Sequence, residues 1–205
     1  LKLFEYFKLD DRVQDLYNRV RAELVSAGYE EAWFHTKRVV KNLYLVSEFF
    51  EFDFKKALVA GICHDIGYKD VIDSHERVSA RLMKDLLDGM YDGVFVSEVL
   101  HAIESHEADG DLMPQTEEAI ALHDADLLDY VGEHGLINAF LLGRNLGLSK
   151  ARCAKRVINA IEEGFLIEGL SVELSDDLER TEEFFNNLIK DLNKERNDFE
   201  KYGMK

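Results

Sequence analysis

The chain has 205 residues, enough for one domain with a real core, and is 46% hydrophobic and 32% charged. Its 41 acidic against 25 basic residues give a formal net charge of −16, which excludes a broad surface for nucleic-acid polymers, since backbone binding needs clustered Lys and Arg. Cys63 and Cys153 are too few for a disulfide framework, no apolar run approaches membrane-spanning length and the first residues show no secretory pattern, so a cytoplasmic protein without a membrane partner is expected.

A single proline, Pro114, points to an all-α fold. Leu1–Leu9 is expected as a short helix or arm. From a cap at Asp10, the residues Val13, Leu16, Tyr17, Val20 and Leu24 recur at helical spacing until Gly28. A second helix is predicted over Glu30–Phe50, with Val39, Val40, Leu43, Val46 and Phe50 inward and His35 one turn before Val39.

Asp53 caps a third helix through Ala57, Leu58, Val59, Ala60 and Ile62, apolar nearly all round and therefore central. Its end delivers His64 and Asp65, and Gly67 is expected to supply a left-handed residue just beyond. An adjacent imidazole and carboxylate behind so apolar a run are costly to bury unless a metal compensates both.

After a turn at Tyr68–Asp70, Asp73 or Ser74 caps a helix with His75 in its first turn and Val78, Leu82, Leu86 and Leu87 inward. Val94–Glu107 is predicted as a helix with Val96, Val99, Leu100 and Ile103 inward and His106 near its last turn. The loop Ala108–Gln115 follows as a candidate rim of the site. Thr116 begins a helix holding Asp124, Asp126 and Asp129, of which 126 and 129 share a face while 124 points away. Helical patterns continue over Leu136–Leu148 and Lys150–Glu163, the latter basic at Lys150, Arg152, Lys155 and Arg156. In the tail, Ser171–Tyr202, Leu178, Phe185, Leu188, Leu192 and Phe199 approach a seven-residue spacing, which fits either packing back on the domain or a homodimer interface.

The candidate ligands in chain order are His35, His64-Asp65, His75, His106 and Asp126. One His, then a His-Asp pair, then a distant Asp resembles the HD-domain superfamily of metal-dependent phosphohydrolases, over roughly Tyr29–Gly143. His35-Thr-Lys-Arg38-Val39 looks like that family's first-His helix, and His64-Asp65-Ile-Gly67 matches its signature. Asp124-Ala-Asp126-Leu-Leu-Asp129 is similar to the Asp-Ala-Asp-Arg-Leu-Asp form of small bacterial members. The resemblance implies a single all-α HD-type domain over 1–205, with a family-like core at about 29–143 and a helical C-terminal extension at about 150–205.

It also implies His35, His64, Asp65 and Asp126 as metal ligands, with Asp65 catalytic and Asp129 beside them, and either His75 and His106 at a second metal bridged by Asp65 or, with one metal, His75 or His106 as the acid that protonates the leaving oxygen. The mixed nitrogen and oxygen set suits Mn, Fe, Co, Ni or Zn, one or two ions per chain. Such an ion acidifies a bound water and neutralises phosphate oxygens. Arg38 could hold a phosphate or Asp129. Lys69 and Arg77 are possible phosphate contacts, and Arg152, Lys155 and Arg156 could close over the site. Glu76 and Glu107 are proton-transfer candidates by proximity alone. His101 is expected to be structural, and His123 to lie either beside the ligands or on the surface.

The function so implied is hydrolysis of a nucleotide or another small phosphate ester or anhydride. Two alternatives stay open: an HD-type di-iron oxygenase, and a non-catalytic nucleotide-sensing module. Tyr68, where the cyclic-dinucleotide branch carries Lys, and a loop without Gly-Tyr-Pro argue against a cyclic dinucleotide. Leu127 replaces the Arg of many relatives. Asp126→Ala is expected to remove the metal, and Asp124→Ala to leave metal and activity nearly intact.

Overall fold

The computed structural model describes residues 10–107 and 110–201, except the side chains of 199 and 200. The expected arm at Leu1–Leu9, Ala108, the Phe199 side chain and Tyr202 lie outside these residues. The described chain is helical, with no strand in it.

Helix α1 (Asp11–Ser26) starts at Asp10, whose carboxylate accepts from the Arg12 amide, and ends before Gly28 at φ 84°. Its buried stripe is Val13, Leu16, Val20 and Leu24. Helix α2 (Glu30–Val46) stops short of the expected Phe50. The Ser47 hydroxyl donates to the Tyr44 carbonyl at 2.7 Å, satisfying a terminal carbonyl that another helical turn would have used.

Helix α3 (Phe54–Cys63) is the hub. Asp53 accepts from the amides of Lys55 and Lys56 at its start, and every residue from Ala57 to Cys63 is buried, packed against α1, α2, α5 (Gly93–Glu104) and α6 (Glu117–Leu127). A stretch buried on all sides must be apolar all round, as Ala57–Cys63 is.

A short 3-10 turn, Ile66–Lys69, follows. Gly67 does not adopt the left-handed backbone expected for it. It is needed because a Cβ there would lie 2.3 Å from the His75 carbonyl oxygen and 2.9 Å from the Ser79 amide nitrogen. The turn therefore lies directly on α4 (His75–Asp88), and the Gly67 amide donates to the Ser79 hydroxyl at 2.8 Å.

Neither expected cap of α4 forms. Ser74 sits in the left-handed region at φ 64° without a capping bond, and Asp73 accepts instead from Arg152. The buried face of α4 is His75, Ser79, Ala80, Met83 and Leu87, while Val78, Leu82 and Leu86 are only half-buried. Close packing on Gly67 rotates the small Ser79 inward. Helix α5 ends at Glu104 because the Ser105 amide and hydroxyl both turn back to the His101 carbonyl. His106 and Glu107 therefore lie just past the helix rather than in its last turn.

Thr116 caps α6 through the Ala119 amide. A second 3-10 turn, Leu128–Tyr130, leads into α7 (Gly132–Asn145), which begins earlier and ends earlier than the predicted Leu136–Leu148. Helix α8 (Lys150–Glu163) matches its prediction, and α9 (Glu168–Glu173) and α10 (Ser175–Lys201) complete the chain. Helix α10 packs on α7 and α8, with Phe185 fully buried 5.6 Å from the Phe140 ring. Phe185 is thus the anchor that returns the tail to the domain.

Candidate metal centre

Four histidines point their Nε2 atoms into one buried volume, and each is aimed by a bond at Nδ1. His64, His75 and His106 donate from Nδ1 to the carbonyl three residues earlier: Gly61 at 2.8 Å, Ile72 at 3.0 Å and Ile103 at 2.7 Å. His35 instead places Nδ1 2.7 Å from Asp129 Oδ2. Because these oxygens can only accept, Nδ1 carries the proton and Nε2 presents its lone pair.

Asp129 is itself held by several donors. Arg38 grips both its oxygens, at 2.6 and 2.9 Å, and Asn138 donates to Oδ1 at 3.2 Å. Arg38 is therefore the clamp behind His35, the second of the two roles its position allowed. Asn42 on α2 donates to the Ala125 carbonyl at 3.0 Å, fixing α6 and Asp126 against the His35 helix.

The Nε2 atoms of His35 and His64 stand 3.3 Å apart, and those of His75 and His106 also 3.3 Å. With each Nδ1 already a donor, each pair sets two lone pairs face to face unless a proton or cation stands between them. Asp65 joins the pairs. Its Oδ2 lies 3.4 Å from both His35 and His64, while its Oδ1 lies 3.0 Å from His75 and 3.7 Å from His106. Asp126 Oδ1 approaches His35 Nε2 at 2.8 Å.

Two of these buried oxygens, Asp65 Oδ2 and Asp126 Oδ1, face only histidine Nε2 atoms and have no hydrogen-bond partner while those nitrogens carry no proton. Leaving buried carboxylate oxygens unpaired is expensive, and a cation among them removes that cost. Among the described residues, His35/His64/Asp126, His64/Asp65/His106 and His75/His106/Glu107 each bring potential ligand atoms within 4.8 Å of one another. These groups fit a divalent ion.

The electrostatics agree. Burial opposes charge on His35, yet Asp126 and Asp129 outweigh it and raise its pKa well above the usual value. The pocket thus draws a proton where an ion would displace it. Burial would also raise the Asp65 carboxyl, but His64 and His75 hold it well below the carboxylate range. His106 is pushed down to about 4, first by burial and then by His64, so it stays neutral and its Nε2 is free to ligate.

Glu107 is more than a neighbour of His106. Its Oε1 lies 3.2 Å from His75 Nε2 and 2.7 Å from Arg156 Nη2. Although burial opposes ionisation, Arg156 and His75 bring its pKa down to about 2. Tyr68 stacks on the His75 ring at 3.9 Å and 13°, and its hydroxyl accepts from Arg156 at 3.3 Å. Arg156 is the member of the basic run that reaches the site. Arg152 pairs with Asp73, and Lys155 is exposed.

The other candidates separate. Lys69 is not brought in; its Nζ lies 3.3 Å from Glu23 and 3.6 Å from Asp70. Arg77 stands at the rim, 61% exposed and 3.3 Å from Asp111. Glu76 comes only to 3.8 Å of His75 Nδ1. His101 is structural, accepting from the Gln115 amide at 3.0 Å. His123 is neither on the surface nor beside the ligands: it is buried and bonded to Asp124 at 2.8 Å.

Asp124 is fully buried on the opposite face of α6 and accepts from the amides of Leu166 and Ile167 at 3.0 and 2.8 Å. To the expectation that Asp124→Ala leaves metal and activity nearly intact, the structure adds a loss of stability. One buried amide, that of Ile167, and one partly buried amide, that of Leu166, would lose their acceptor, at a cost of about 1–4 kcal/mol. Urea unfolding of this variant checks the value, and an unchanged midpoint would contradict it.

Residues 33–131 match the HD domain family, and with the helical fold built around this His/Asp cluster they form an HD domain. Its structure resembles that of a predicted HD superfamily hydrolase from an uncultured Thermotogales bacterium, with TM-score 0.58 and 25% identity over 86% of this chain and 99% of that one. It also resembles Bacillus subtilis YpgQ, with TM-score 0.61 and 19% identity over 90% of this chain and 95% of that one. The structure of YpgQ in complex with ADP matches at TM-score 0.60 and 19% identity over 88% and 96%. No curated protein sequence matches the chain. Among the described residues no helix is long and apolar enough to cross a membrane.

Proposed function

We propose that this protein is a metal-dependent phosphohydrolase with a two-ion centre bridged by Asp65. The observation that carries this reading is the division of Asp65: one oxygen faces His35 and His64, the other faces His75 and His106. His35, His64 and Asp126 would hold one ion, and His75 and His106 the other, with Glu107 in reach of it. Divalent ions held there acidify water and neutralise charge building on phosphate oxygens.

The chain's own groups supply orientation. Asp129 and Arg38 keep His35 in one tautomer, and the carbonyls behind His64, His75 and His106 do the same for those rings. Arg156 holds Glu107 ionised beside His75. The Tyr68 ring covers one face of His75 and keeps water off it. With 41 acidic residues in the chain, an anionic substrate needs the local positive charge of the centre.

The substrate class is a small phosphate ester or anhydride. The likeness to a predicted HD hydrolase supports hydrolysis, and the ADP complex of YpgQ places nucleotides in the test panel beside simple esters. Phosphate release from a panel of nucleotides and simple esters, after loading with Mn, Fe, Co, Ni or Zn, tests the reading. Ion-dependent release abolished by chelation is expected. Metal bound without any release, or a product formed only with iron and oxygen, would contradict it.

A further inference from the structure

Resting on the phosphohydrolase reading, we infer that the substrate carries its phosphate on an apolar group, seated in a slot between α7 and α8. The centre opens on two unlike compartments, and Glu107 and Arg156 line both. On the His75 side is a polar cleft walled by Arg77, Arg152 and Arg156. Each of these arginines already faces an acid: Asp111, Asp73 and Glu107.

On the Asp126 side is a narrow slot whose inner walls are Leu142, Leu146, Leu148, Val157 and Ala160. Its polar groups, from Tyr68, Asp126, Tyr130, Glu107 and Arg156, belong to the centre or to residues beside it. The remaining side-chain heteroatom of the lining, Cys153 Sγ, already donates to the Ala139 carbonyl at 3.0 Å. A group entering past Asp126 therefore meets methyl and methylene surface.

That lining discriminates. A short alkyl chain or an unsubstituted ring gains by leaving water, at about 25 cal/mol per Å² of apolar surface. A nucleobase or sugar pushed into the same space would leave its donors and acceptors unpaired. The reading selects, within small phosphate esters, those of apolar alcohols or phenols over nucleotides.

Non-hydrolysable phosphonates test this by calorimetry on the metal-loaded protein. Each methylene that enters the slot should tighten binding about fourfold, so butylphosphonate should exceed methylphosphonate by at least tenfold and at most roughly sixtyfold. Adenosine monophosphate should bind no tighter than methylphosphonate. Ala160→Leu, which fills the slot, should erase the gain with chain length, with metal content as the check on its fold. The wild-type series decides the matter even if that variant fails to fold. Equal affinity for methyl and butyl, or tighter binding of adenosine monophosphate than of butylphosphonate, would overturn the inference and leave the hydrolase reading standing. No binding of any phosphonate by metal-loaded protein would overturn both.

Discussion

Asp65→Asn should abolish turnover and remove at least one of two ions, although it changes neither side-chain size nor shape. The amide has only one acceptor oxygen and no charge to set between the two histidine pairs. The loss corresponds to several kcal/mol of transition-state stabilisation, a rate decrease of about a thousandfold or more. Asp129→Asn offers a graded contrast. It leaves every proposed ligand in place and weakens the bond that orients His35 together with the Arg38 grip behind it, so metal affinity should fall by about 10–100-fold. Metal analysis and phosphate release on both variants check this order. Two ions retained in Asp65→Asn would contradict the bridging role.

Gly67→Ala should be among the most damaging of the small substitutions. The added Cβ meets two backbone atoms of α4, at 2.3 Å from the His75 oxygen and 2.9 Å from the Ser79 nitrogen, and backbone cannot swing aside as a side-chain tip can. The turn carrying Asp65 must then part from the helix carrying His75, at a cost of about 3 kcal/mol. Because that contact sets the 3.0 Å approach of Asp65 Oδ1 to His75 Nε2, the His75/His106 ion should be lost before the other. Urea unfolding together with metal titration measures both effects. Wild-type stability with two ions bound would contradict the packing argument.

How much of this was legible in the sequence depends on the range over which each signal acts. His64-Asp65 stood out because both residues are adjacent and follow an apolar helix, a purely local pattern. Helical periodicity separates the faces of Asp124 and Asp126, the resemblance to the HD family is what pointed to Asp126 as the ligand, and the structure puts Asp124 on the amides of Leu166 and Ile167. Caps at Asp10, Asp53 and Thr116 were equally local and were found where expected.

What escaped was decided by tertiary contact. Arg156 and Glu107 are 49 residues apart, and nothing in either neighbourhood marks them as partners. Gly67 suggested a left-handed turn, the commonest reason for a glycine after a helix, whereas the reason here is close backbone approach from α4. Ser74 was a plausible cap by residue type, but Arg152 draws off its neighbour Asp73 and Ser74 takes the left-handed conformation itself. The inward face of α4 was misplaced by the same contact. The one available hint was Ser79, four residues after His75 and on its face.

The most direct measurement is the number of ions per chain in purified protein loaded with Mn and freed of excess. A centre in which Asp65 serves both histidine pairs predicts about two. A single ion would contradict the bridged centre and leave His75, His106 and Glu107 for proton transfer or phosphate contact. No bound ion under any loading would contradict the metal centre as a whole.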